Sequence, residues 1–178
     1  MHRGGANKEL TPEEVSFICG ENKKIVPIFQ WSADEPHYFT VTQATSDANN
    51  AINRAEYLGQ PGGKPIYFAV DFAPSTEAHF TMIMNYFGRL NQIFSSQELN
   101  PDGYLLGVYG CSTVCKRLKT TYPSVYSWLW GTQNCYDNTY YTSWNLKQHS
   151  EVTIGTGASK FKICPDTSSS NGTGGWNI

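Results

Sequence analysis

Asp71 is the one charged residue in the run Pro65 to Phe72 (PIYFAVDF). A carboxylate at the end of an otherwise apolar strand is partly desolvated, which suits proton donation. Capping a turn or pairing with a lysine is the plainer role for the same residue. Asp166, which follows Pro165 late in the chain, is the second candidate, and turn chemistry explains it equally well. Two carboxylates brought together fit glycoside hydrolysis, one protonating the leaving oxygen and the other acting as nucleophile or general base. Around them, Gln30, Trp31, Tyr67, Tyr109, Trp130 and Gln148 are expected to touch substrate: aromatic faces stack on sugar rings, and amides bond their hydroxyls without charge. There is no Gly-x-Ser-x-Gly elbow and no supportable Ser-His-Asp grouping.

The composition agrees with an uncharged ligand. Among 178 residues, 16% are charged, against roughly 25% in an average soluble domain, while 14% are aromatic. A net charge of −2 leaves no excess of Lys and Arg to neutralise a phosphate backbone, so nucleic acid is not the expected partner. No stretch reaches the roughly 20 apolar residues of a membrane span. Met1 to Leu10 lacks the apolar core of a signal peptide, so the chain as written carries no export address. The cysteines (Cys19, Cys111, Cys115, Cys135, Cys164) form no CxxC and have no His at zinc-like spacing, so no metal is expected. Cys111 and Cys115, one helical turn apart, read as packing residues rather than redox or metal ligands. Neither GxGxxG nor GxxxxGK[ST] occurs, and no cofactor is expected.

These residues need elements to hold them. Thr11-Pro12-Glu13-Glu14 reads as a capped helix start that runs to Gly20. Lys24 to Gln30 is a short strand, with Pro27 marking an edge or end. Thr40 to Gln43 offers a second capping box, before a helix whose Ala44, Ala48, Ala51, Ile52, Ala55 and Leu58 share one face. The PIYFAVDF strand follows, then a helix with the stripe Phe80, Ile83, Met84, Phe87, Leu90 and Phe94. Tyr104 to Gly110 is a strand, Ser112 to Leu118 a helix, and Tyr126 to Gly131 a strand with Tyr126, Trp128 and Trp130 on one side. Ser143 to His149 and Lys160 to Cys164 complete the set as short strands, and the chain from about Ser168 reads as a flexible tail. The whole chain, 1–178, reads as one domain. Alternating strands and helices imply parallel βαβ units, in a doubly wound sheet or a (β/α) barrel, and the missing nucleotide loops favour a TIM-type barrel.

The run NKELTPEE, then IVPIFQW, the Tyr-Phe-Thr before a helix ending in LGQP, then PIYFAVDF, GVYG and a late Lys-Gln-His resemble the bacterial glycoside-hydrolase-like family called domain of unknown function 1906. That family is related by fold to the family 25 glycoside hydrolases, the barrel-shaped lysozymes. The resemblance covers the chain from about Asn7 to Asp166. It implies a (β/α) barrel, incomplete at its N-terminus here because the family's opening strand and its Asp are absent, with an open edge that a second copy or a partner strand would complete. It also implies cell-wall peptidoglycan or a related polysaccharide as substrate, and an extracellular or envelope location. Asp71 matches the strand-end acid of the lysozymes, Ala69 stands where they often carry a second acid, Asp166 resembles the late-strand Asp, and Gln148-His149 resembles their Gln-Tyr pair. The leading expectation is a glycosidase with Asp71 as proton donor and Asp166 as partner; the alternative is a non-catalytic glycan-binding module of the same fold.

Overall fold

The computed structural model describes residues 9–131 and 135–178. Thr132 and Gln133, and the Asn7-Lys8 start of the NKELT run, lie outside the described residues.

Local signals start the helices. The Thr11 hydroxyl accepts from the Glu14 amide and the Glu14 carboxylate accepts from the Thr11 amide, so α1 (Pro12–Gly20) opens with the expected box. Thr40 caps α2 (Val41–Tyr57) through the Gln43 amide, but Gln43 turns its own side chain forward to Asp47 instead of back to the cap. The buried Ala44, Ala48, Ala51 and Ala55 give α2 a shallow face, which lets α3 (Glu77–Phe94) pack closely alongside. Helix α4 (Ser112–Thr121) continues past the expected end at Leu118.

Strands β1 (Ile28–Phe29), β2 (Pro65–Ala69), β3 (Leu105–Gly110), β4 (Tyr126–Leu129) and β5 (Leu146–Gln148) lie side by side and parallel. After β5 no helical crossover follows. The chain makes an antiparallel ribbon, β6 (Val152–Ile154) with β7 (Phe161–Ile163), and returns as β8 (Asp166–Ser168), antiparallel to β5 with Asp166 opposite Gln148. The order β1-β2-β3-β4-β5-β8 is an open six-stranded sheet. This corrects the expected TIM-type barrel: the antiparallel return ends the parallel progression, and β1 and β8 are edges that do not pair with each other.

One face of the sheet is covered by helices. Ile66, Phe68 and Val70 from the β2 segment and Leu106 and Val108 from β3 join Phe80, Ile83, Phe87 and Leu90 of α3 in the main core. Each such side chain contributes about 1.5–3 kcal/mol on burial. A second cluster gathers Val15 and Cys19 of α1, Ile25 and Trp176.

The segment after Ser168, expected as a flexible tail, is instead tied across the sheet. The Ser169 hydroxyl donates to the Trp144 carbonyl, and the buried Asn145 amide donates to the carbonyls of Asn171 and Gly172. Tyr67 donates its hydroxyl to the Thr173 carbonyl. Trp176 and Ile25 then exchange backbone hydrogen bonds of 2.8 and 3.0 Å as an antiparallel bridge. The tail thus links the β5–β8 side of the sheet to the approach of β1.

Cys111, at the N-cap of α4, forms a disulfide with Cys135. Packing was the expectation for it; the adjacency of β3 and β4 brings together two cysteines 24 residues apart that carry no local pairing signal. Cys115 is buried and free, in keeping with a packing role.

Candidate functional site

The helix-free face of the sheet carries the chemistry. Period-two alternation sends Tyr67, Ala69 and Asp71 to this face. Tyr109 of β3 and Trp128 of β4 meet there edge to face with ring centroids 5.6 Å apart, and Tyr67 packs on Trp128 at the same separation. Gly107 makes room for this column, because a Cβ there would stand 2.7 Å from the Tyr67 ring.

Polar side chains rim the aromatic column at the carboxyl ends of the strands. Gln30, just past β1, donates to Asp71 at 2.8 Å, and the Asp71 amide donates to the Ala33 carbonyl at 2.7 Å. The Tyr109 hydroxyl donates to Gln148 at 2.9 Å, and the Trp128 indole donates to Asp166 at 2.6 Å. Each of these last two bonds passes over an intervening strand, as happens on the concave side of a curled sheet. His149 and Thr167 bond at 2.7 Å beside them.

The electrostatics place both carboxylates around one phenol. Burial pushes Tyr109 above the usual tyrosine range, and the negative fields of Asp71 and then Asp166 push it further. Asp166 is itself raised above the usual aspartate range, chiefly by desolvation, against the Trp128 hydrogen bond and the nearby His149, which both favour its charged form. Both carboxylates are exposed; Asp71 lies beyond the last ladder residue of its strand, Ala69.

The structure therefore brings Gln30, Asp71, Tyr109, Gln148 and Asp166 to one face. Trp130 is half-buried and shares the alternation of Trp128; Trp31 is exposed, immediately beyond Gln30. Tyr67, expected to touch substrate, is 0% exposed. It is the floor of the site: the ring lies under Trp128 and the hydroxyl is used by Thr173. Trp128 joins the site although it was not among the expected substrate contacts, and His149 joins it beside Gln148, its partner in the pair that the resemblance pointed to. Alternation placed Trp128 with Tyr126 and Trp130 but left open which face they shared. Among the described residues, no group of three or more His, Cys, Asp or Glu gathers as a metal site, and no helix is long and apolar enough to cross a membrane.

Comparison with known proteins fits this geometry. The family described as "Rv2525c-like, glycoside hydrolase-like domain" matches residues 1–169. Two uncharacterized proteins of Bacillus subtilis (strain 168) are similar in sequence. YbfG is 32% identical over 171 residues, covering 93% of this chain and 23% of YbfG; FadG is 27% identical over 178 residues, covering 97% and 31%. The chain thus spans 23% and 31% of the length of these two relatives. Among solved structures, the Mycobacterium tuberculosis Tat-secreted protein Rv2525c, in complex with L-tartrate, superposes with a TM-score of 0.75 at 18% identity, covering 98% of this chain and 83% of that one. An uncharacterized B. stearothermophilus protein superposes at 0.59 with 16% identity, covering 98% and 85%. The mostly parallel sheet, its helix-free polar face and the match along the chain agree: this protein is a member of the Rv2525c-like, glycoside hydrolase-like family.

Proposed function

We propose that the concave face is a glycan cleft and that the protein hydrolyses glycosidic bonds in bacterial cell-wall peptidoglycan or a related polysaccharide. The observation that carries this reading is that two carboxylates, Asp71 and Asp166, both lie near enough to Tyr109 on the site face for their charge to raise its phenol. Asp166 is exposed on β8, yet the protein around it still draws its carboxyl above the usual aspartate range, and the Trp128 indole fixes it on the site face, so it serves as the general acid that protonates the leaving oxygen as the glycosidic C–O bond breaks. Asp71, facing water, serves the anomeric carbon as nucleophile or as base for the attacking water. These roles reverse those expected from sequence. Gln30, Gln148, Trp31 and Trp130 bind sugar hydroxyls and ring faces, with Trp128 and Tyr109 behind them. A disulfide at the rim and a Tat-secreted structural neighbour support action outside the cytoplasm.

Incubation with purified peptidoglycan, followed by analysis of released muropeptides, tests the proposal. Asp166→Asn is expected to lower release by about 10²–10⁴-fold, the range for loss of a general acid. No release by the wild-type protein, or release by Asp166→Asn and Asp71→Asn equal to that of the wild type, overturns it. A non-catalytic glycan-binding module is the second reading, favoured by Ala69, which puts a methyl group between Tyr67 and Asp71 on the site face where the lysozymes it resembles often carry an acid. Retention on insoluble peptidoglycan that survives both substitutions, without turnover, selects it.

A further inference from the structure

We propose that Asp47, a buried carboxylate on α2 remote from the sheet face, is a positioning residue that clamps the 31–39 loop over Asp71; this rests on the reading of Asp71 as a site carboxylate. Asp47 is 1% exposed, and among the described residues its hydrogen-bond donors are neutral. Tyr38 and Tyr86 donate to its Oδ2 at 2.6 and 2.5 Å, and Gln43 donates to Oδ1 at 2.8 Å. Burial raises both phenols well above the usual tyrosine range, with Asp47 adding to the shift, so both remain donors at any working pH.

The donors come from different places. Tyr86 belongs to α3 and Gln43 to α2 itself, so their bonds fasten helix to helix. Tyr38 belongs to the 3₁₀ turn Pro36–Tyr38, in the loop that leaves β1. This loop meets Asp71 and its neighbour Phe72 at three points. Gln30 at its start bonds the Asp71 carboxylate, the buried Ala33 accepts from the Asp71 amide, and Phe39 at its end packs on Phe72 with centroids 5.6 Å apart. A side-chain hydrogen bond from Tyr38 to Asp47 ties this loop to the helical layer. Functional groups hold their geometry only when the shell behind them is fixed. Here that shell is a carboxylate on a helix acting through a loop.

The two phenols separate positioning from stability. Tyr38→Phe removes the loop's bond and keeps the ring against Phe39 and Tyr86; Tyr86→Phe removes a bond to the same carboxylate but leaves the loop attached. The reporter is amide hydrogen exchange in the unliganded protein, comparing the Asp71 amide, bonded to Ala33 in the loop, with the neighbouring Val70 amide, bonded to Tyr109 in the sheet. In Tyr38→Phe the Asp71 amide is expected to exchange about tenfold faster relative to Val70. In Tyr86→Phe the ratio of the two rates stays at its wild-type value. An unchanged ratio in Tyr38→Phe, or the same change in both variants, overturns the assignment. Because exchange needs no substrate, this outcome is independent of whether the protein cleaves glycan. If it does, Tyr38→Phe lowers kcat and Tyr86→Phe does not.

Discussion

Asp166 and Trp128 show how one hydrogen bond sets a proton's place. Desolvation raises the aspartate and the indole N–H opposes that rise, so removing the indole donor leaves desolvation less opposed. In Trp128→Phe the carboxyl is expected to titrate higher than in the wild type, which itself titrates above the ordinary value of about 3.9. Carboxyl ¹³C NMR titration, assigned with Asp166→Asn, reads both midpoints; a midpoint that falls on substitution contradicts the arrangement. The sign for stability follows. A carboxyl raised in the folded state binds its proton more tightly there, so its contribution is present below the unfolded value and is lost as pH rises through the folded one. At this scale the sequence is partly legible. Asp71 stands out because a charge in an apolar run is conspicuous, and Gln30, Tyr109 and Gln148 because they fall at strand exits. Asp47 does not stand out: an Asp on a helix face reads as solvent-facing until two tyrosines from distant segments are found to bury it.

Among the elements, β3 is constrained by the side chain next to it. Gly107 lies opposite Tyr67 in the parallel register, and Tyr67 cannot swing aside while its hydroxyl is held by Thr173. Gly107→Ala is expected to cost about 1–3 kcal/mol through overpacking and to disturb Trp128, and through it Asp166, by pushing on the Tyr67 ring. Urea unfolding with a lowered midpoint at unchanged slope checks the first part, and a shifted Asp166 titration the second. Helix starts are legible because Thr11, Thr40 and Thr76 carry their caps in adjacent residues. Strand β2 is legible because burial on both faces demands an unbroken apolar run. The ribbon β6–β7 and the antiparallel β8 are not, since their residues are largely exposed and show no burial pattern. That gap is why helix–strand alternation, extrapolated past β5, leads to a barrel where the sheet stays open.

For the molecule as a whole, low charge and high aromatic content anticipate a neutral, aromatic cleft, whereas the route of the C-terminal segment is hidden in its composition. Ser168 to Gly175 lacks any apolar period, yet its carbonyls accept from Asn145 and Tyr67, and it delivers Trp176 to α1. Its order comes from contacts made across the chain, which no local pattern records. Trp176→Ala is expected to cost about 3–5 kcal/mol and to lower Tm by roughly 6–20 °C; a change within about 1 °C by calorimetry contradicts the role given to the tail. The bridge between Ile25 and Trp176 also bears on how the protein is made. Helix α1 leaves the ribosome before the largest side chain that covers it, Trp176, which follows some 156 residues after Gly20. At ordinary translation rates of about 5–20 residues per second, its apolar face waits roughly 8–30 s for that partner. The sheet and its helices can assemble in that interval, so α1 is expected to complete its cluster only when Trp176 arrives, after the elements that precede it have formed.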